Sequence, residues 1–204
     1  MSKLRITSIT VGMQKNARFY NIPSFLIKIG DESETSTPAL TKVAIKSYIK
    51  ENPNINHVVI YGEDPLKNKL EVEKLLNDIW KEGMKITVYT NGNLPILNPL
   101  SYHYRISLYI VKVQESEMNI QMLRNLCLYS TDYLLCFQDD PVNLEERSNA
   151  LLKNILDTDE EFFATMLKKH SPSSHIVYIP KNKDDIKEVK NICFKTGRYF
   201  NTFI

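Results

Sequence analysis

The chain has 204 residues, 43% of them hydrophobic, enough for a full core, and a single domain over residues 1–204 is expected. Its 26 basic and 24 acidic residues leave a formal net charge of +2, so no strong overall field selects nucleic acid or an anionic membrane, and neither is an expected partner. No run approaches the roughly 20 apolar residues that cross a bilayer. MSKLRITSIT lacks a signal-peptide apolar core, and Cys127, Cys136 and Cys193 form no CxxC pair, so a cytoplasmic protein with reduced, buried thiols is expected.

Leu4–Val11 alternates and is rich in Ile, Thr and Val, which predicts a first strand, followed by a polar turn over Gly12–Asn21. Ile22–Ile29 predicts a second strand, with Phe25, Ile27 and Ile29 alternating against Ser24, Leu26 and Lys28. Gly30–Pro38 (GDESETSTP) is a polar, acidic loop in which Ser36 or Thr37 is placed to cap a helix starting near Pro38 and carrying Leu40, Val43, Ile45, Tyr48 and Ile49. The centre of the chain, His57–Asn93, holds two short β-branched runs, His57–Tyr61 and Ile86–Tyr89. Between them lies a periodic segment with Leu70, Leu75, Leu76, Ile79 and Trp80, and Gly83 marks its end. A strand, a helix and a second strand of these lengths predict parallel neighbours joined by a right-handed crossover.

Beyond Asn93, Pro95 and Pro99 predict an irregular segment before a strand at Arg105–Val113. Met118–Tyr129 has helical spacing, Tyr133–Phe137 is strand-like, and Asp139-Asp140-Pro141 starts a helix that continues over Leu144–Leu156. Residues 157–174 carry a segment, FFATMLKK, compatible with helix, then a loop at SPSS. Ile176–Ile179 predicts a short strand, Asp184–Thr196 a closing helix, and Arg198–Ile204 an extended tail. Strands alternating with helices predict an α/β fold with a largely parallel sheet. Ligands of such sheets bind at the carboxyl ends of the strands, which directs attention to the turns Gly62–Pro65 and Thr90–Asn93.

VVIYGEDPL resembles the VVITGGEPL signature of the radical S-adenosylmethionine enzymes, and ITVYTNGN resembles the later I-x-[IV]-E-T-N-G strand end of the same family. The resemblance is nearest to the 7-carboxy-7-deazaguanine synthases. Their opening QGEG…GRPAFFIRLAGC is matched in spacing by Gln14-Lys15-Asn16-Ala17 and by the segment Asn21–Gly30. It implies a partial (β/α) barrel with a largely parallel sheet. It also implies a cofactor shelf formed by Gly62, Asp64, Thr90, Asn91 and Gly92, with Gln14 and Asn16 on the substrate side. Asp64 keeps a carboxylate where the family's Glu holds the cofactor's ammonium. Glu63 replaces the second glycine of the signature, Tyr89 replaces an acidic residue, and Cys136 stands near a family Lys.

The largest departure follows Gly30. The family carries CxxxCxxC there, three thiolates that hold a [4Fe–4S] cluster, whereas this loop reads DESETSTPALT and no cysteine precedes Cys127. Oxygen donors do not replace thiolates in such a cluster, so no [4Fe–4S] site, no cofactor and no radical chemistry are expected beyond residual S-adenosylmethionine-type binding at the shelf. Bland accounts compete with the sharper ones. Asp64 is a good turn former, Asn91-Gly92 is an ordinary strand exit, and Asp31, Glu32 and Glu34 read as a solvated loop before a metal site. The four histidines show no ligand spacing, and no metal site is expected.

The resulting expectation is a catalytically degenerate protein that binds a protein partner, a second copy of itself, or a nucleoside-like small ligand. The alternative is an enzyme of purine- or pterin-type metabolism working without a cluster, drawing on Gln14, Asp64, Asn91 and Lys112.

Overall fold

The computed structural model describes residues 4–14, 19, 21–30, 40–62, 64–95, 97, 106–113, 119–129, 132–138, 141–156, 176–180, 182–196 and 199–200. In chain order the elements are β1 (Ile6–Met13), β2 (Pro23–Ile29), α1 (Lys42–Glu51), β3 (His57–Gly62), a 3₁₀ turn (Pro65–Asn68), α2 (Lys69–Ile79), β4 (Lys85–Thr90) and β5 (Leu108–Lys112). They continue with α3 (Ile120–Tyr129), β6 (Tyr133–Phe137), α4 (Pro141–Leu156), β7 (Ile176–Tyr178), α5 (Ile186–Thr196) and β8 (Tyr199–Phe200). The eight strands among the described residues form one open sheet, in which each strand pairs with the next in the chain. β1 runs antiparallel to β2, and every other pair is parallel.

The alternation expected of β2 sorts its side chains onto two faces. Phe25, Ile27 and Ile29 join Val58, Ile60, Ile86, Val88 and Val111 in a core that also contains Ile45, Val72, Leu75, Leu76, Leu123 and Val189 from the helices. The opposite face carries a smaller cluster of Val59, Tyr89, Leu108, Ile110, Leu134, Cys136, Val177 and Ile179, to which no described helix contributes. Helices on one face of an otherwise parallel sheet, with an inner face filled by its own side chains, are the arrangement of a partial (β/α) barrel.

Local chemistry explains the element limits. Thr41 is extended and its hydroxyl accepts from the Ala44 amide at 3.2 Å, so α1 begins at Lys42 and neither Ser36 nor Thr37 is its cap. Val43, expected to belong to the helix near its start, is 77% exposed, because the buried stripe of α1 is Ile45 and Ile49. The central helix divides into the 3₁₀ turn and α2, and it ends at Ile79, short of Gly83. Leu70 points to water, and Val72 takes its expected place against the sheet. Between β4 and β5 the buried Leu97 is fixed by its amide, which donates to the Tyr109 hydroxyl at 3.1 Å. Residues 157–174, read as helix and loop, lie outside the described residues, as do Asn16, residues 31–39 and Glu63. No helix among the described residues is long and apolar enough to cross a membrane.

Candidate functional site

The sheet register brings five of the sequence-predicted residues together. Ile29 of β2 is level with Gly62 at the end of β3, and Thr90 closes β4 level with Val111 of β5. At Gly62 φ is +153°, and a Cβ there would lie 2.1 Å from the Ile29 carbonyl oxygen, so only glycine lets β3 leave the sheet beside β2. The chain then turns into Asp64, which is 5% exposed.

Asp64 holds the two strand ends together. One carboxylate oxygen accepts from the Leu66 amide at 3.0 Å and thereby caps the 3₁₀ turn. The Thr90 hydroxyl lies 3.3 Å and 3.4 Å from the two oxygens, and the Asn91 amide donates to the second at 3.2 Å. Thr90 in turn accepts from the Gly92 amide at 3.1 Å, at a glycine with φ +77°. A carboxylate has about four acceptor positions, and three donors of the chain itself take most of them here. These bonds tie the β3 turn to the end of β4. The shelf is therefore a closed hydrogen-bonded unit in which Asp64 is the central acceptor.

Beside it, the upper part of the inner face is aromatic and cationic. Ile60 pairs with Val88, which sets Tyr61 and Tyr89 side by side, and Lys112 is level with Cys136 across β5 and β6. Tyr89 and Cys136 are buried, while Tyr61 is half-buried and Lys112 is exposed. Burial pushes the Tyr89 phenol up, and Cys136 nearby acts in the same direction. Burial also raises the Cys136 thiol, with Lys112 pulling the other way, so both groups stay protonated at neutral pH.

Gln14 lies elsewhere. Met13 pairs with Pro23 at the start of β2, about 20 Å along the strands from the level of Gly62. There the Gln14 amide donates to the Ile22 carbonyl, and its own carbonyl accepts from Asn21, closing the β1–β2 connection. Gln14 and the shelf thus occupy opposite ends of the sheet.

That opposite end holds a polar group that sequence reasoning missed. His57, 1% exposed, sits between Ser24 and Thr87, with Nδ1 2.8 Å from Ser24 Oγ and Nε2 2.8 Å from Thr87 Oγ1. Ser24 donates its hydroxyl hydrogen to the Ile22 carbonyl, so it accepts from Nδ1–H; the neutral ring then takes the Thr87 hydroxyl hydrogen at Nε2. Phe19 packs edge-on against the ring at 4.8 Å, and the Lys85 ammonium lies 5.1 Å from the centre of Phe19. Burial lowers the imidazole from 6.5 to about 4, and Lys85 contributes in the same direction. The available signal was strand alternation, which gives these residues a face; their meeting depends on register.

The described thiols do not fit a three-thiolate cluster. Cys136 belongs to the inner face, Cys193 lies in the helix-side core, and Cys127 belongs to α3. A cluster needs deprotonated thiolates converging on one point, whereas Cys136 is held as a thiol and Cys193 lies across the sheet. No group of three or more His, Cys, Asp or Glu side chains converges among the described residues.

No protein-family model and no curated protein sequence matches the chain. The crystal structure of QueE from Escherichia coli is similar to it with a TM-score of 0.63, at 15% identity, covering 98% of this chain and 93% of that chain. QueE is a radical S-adenosylmethionine 7-carboxy-7-deazaguanine synthase. At this identity the likeness concerns the fold, and it extends over nearly the full length of both chains.

Proposed function

We infer that this chain is a non-catalytic relative of the radical S-adenosylmethionine enzymes, which binds a nucleoside-like ligand at the carboxyl ends of β3 and β4 and does not transform it. The observation that carries this reading is that the chain's own donors occupy most of Asp64's acceptor positions. The carboxylate that the family resemblance assigns to a cofactor ammonium already accepts from Leu66, Thr90 and Asn91. Recruiting it to a ligand would break bonds that join two strand ends. The loop after β2 supports the same reading at the level of sequence, since DESETSTPALT offers no thiolate.

The half-buried Tyr61, backed by the buried Tyr89, supplies flat apolar surface for a heterocycle, and Lys112 supplies a cation for an anionic substituent. Cys136, level with Lys112, is the one thiol described on this face, and burial holds it protonated, so the chemistry on offer is recognition.

Two measurements test the reading. Anaerobic iron–sulfur reconstitution should yield protein without cluster absorbance and without cofactor cleavage; a stable coloured holoprotein that cleaves S-adenosylmethionine refutes the non-catalytic part. Thermal-shift titration with nucleosides, deazapurines, pterins and S-adenosylhomocysteine should raise the melting temperature for at least one of them. That shift should disappear in Lys112→Ala and Tyr61→Ala, and no shift with any heterocycle refutes the ligand part.

A further inference from the structure

The sheet has two edges of unequal length. One is β8, with two described residues, and the other is β1, with eight. Long edge strands are ordinarily blunted by a charge, a proline or a bulge, because their outward N–H and C=O groups invite another strand. The register shift of β1 lies at its start, between Ile6 and Ser8, and from Ile6 to Met13 it contains neither a charged residue nor a proline. The nearest charges in the chain, Arg5 and Lys15, flank it.

The pairing with β2 sets which backbone groups face outward. The Gln14 amide donates to the Ile22 carbonyl, and bonded and non-bonded pairs alternate along an antiparallel ladder. Gly12, Thr10 and Ser8 therefore bond to β2, while Met13, Val11 and Ile9 turn their amides and carbonyls to the open side. Met13 accordingly lies opposite Pro23, which has no N–H to give. Before the register shift the outward residue is Ile6, whose carbonyl is taken by the Leu40 amide at 2.8 Å. No hydrogen bond among the described residues reaches the outward groups of Ile9, Val11 or Met13. The side chains of these residues stand on the helix side of the sheet, level with Ile27, Phe25 and Pro23, where Val11 is 42% and Met13 55% exposed.

We propose that β1 pairs with β1 of a second copy, antiparallel and across a twofold axis at Val11, so that the two sheets join edge to edge. The spacing of the outward residues fixes this register. Val11 meets Val11 of the second copy, Ile9 meets its Met13, and each outward N–H finds a carbonyl. The apolar side chains pair on one face, and on the other Thr10 lies beside Gly12 of the second copy. A twofold axis sets the central residue against itself, so a charge at Val11 would repel its own image, and β1 has none. A foreign strand would have to supply this match, whereas a second copy supplies it by symmetry. The isologous pair also consumes the open edge and stops further addition. A ladder of this length is small for a specific interface, so the pair should separate on dilution. It involves no residue of the shelf and stands independently of the shelf ligand.

Sedimentation of the whole chain from about 1 to 500 µM should show monomer giving way to dimer. Val11→Lys and Val11→Glu, each alone, should weaken dimerisation at least about tenfold, and an equimolar mixture of the two should restore it, because they face each other at the axis. Val11→Pro removes an outward N–H and should abolish the dimer. Proline is tolerated on an edge strand where the lost N–H faced solvent, so the dilute variant should melt as the dilute wild type does. In amide hydrogen exchange, Ile9, Val11 and Met13 should gain protection as concentration rises, while Thr10 and Gly12 are protected throughout. Monomer at every concentration, a dimer that Val11→Lys leaves intact, a Lys and Glu mixture that stays monomeric, or protection that does not alternate along β1 would overturn the proposal. Tyr61→Ala and Lys112→Ala, which test the shelf, should dimerise as wild type does.

Discussion

Acidification should unlock the amino end of the sheet through His57. The ring is neutral in the fold because it is buried and lies near Lys85, which lowers its pKa from 6.5 to about 4. The unfolded chain takes up a proton below about pH 6.5, whereas the folded chain does so only near pH 4. Stability therefore falls as pH drops through this window, and the fall levels off below pH 4. A depression of this size corresponds to about 3 kcal/mol, a large part of a typical domain's stability. Protonation also has a geometric cost. A proton on Nε2 removes the acceptor for the Thr87 hydroxyl, which must turn its hydrogen away and accept across the 2.8 Å contact instead.

Carboxylates titrate in the same range, so the assay compares wild type with His57→Gln, whose side chain does not titrate, by urea unfolding between pH 7.5 and 4. At neutral pH the variant should be the less stable, by about 1–2 kcal/mol for imperfectly replaced buried bonds. The wild-type advantage should shrink steadily on acidification, vanish between about pH 6 and 5 and be reversed by about 1–2 kcal/mol near pH 4, a net swing of about 3 kcal/mol. A stability difference that stays constant across the range would refute the claim that the fold holds His57 neutral. Nitrogen chemical shifts at pH 7 should report the Nδ1–H tautomer; the other tautomer would overturn the donor assignment at Ser24.

Asp64→Ala should cost about 3 kcal/mol in chemical denaturation, since it strands the Leu66 and Asn91 amides and the Thr90 hydroxyl, and Asp64→Asn should cost less because its carbonyl still accepts. Gly62→Ala should cost more than about 4 kcal/mol or abolish soluble expression, because its Cβ would meet a backbone oxygen at 2.1 Å; a well-folded variant would contradict the strand-end geometry. Lys46→Ala removes a 3.3 Å ion pair with Asp78 at a site where both partners are more than a third exposed, and it should shift stability by no more than about 0.5 kcal/mol.

Much of the architecture was legible in the residues because strands that are buried on both sides are written as short apolar runs. Tyr133–Phe137 emerges with the expected limits, and the unit around β3, α2 and β4 follows from two such runs and the periodic segment between them. Helix starts were less legible: Ser36, Thr37 and Thr41 are equally good caps in isolation, and the packing of Ile45 and Ile49 selects Thr41. Leu70 and Val43 misled because a single apolar residue near a helix end fits more than one stripe. At the shelf, Gly62, Asp64 and Thr90–Gly92 are neighbours, but no residue pattern signals that Asp64 accepts three bonds from within the chain. Gln14 was grouped with them through the family resemblance, and the antiparallel register of β1 on β2 sends it to the other end. Ser24, His57 and Thr87 are far apart in the chain, and no local pattern announces that they will touch.

The sheet's simple order, each strand beside its predecessor, has a consequence for how the protein is made. No later strand inserts between two earlier ones, so a chain emerging from synthesis can add each βα unit to a finished edge without reopening what has formed. Every intermediate along that path exposes one unpaired strand edge, which the next unit covers. A pause between units should therefore be most hazardous just after β6, whose five residues are all buried in the finished sheet and await β7 across a long intervening segment.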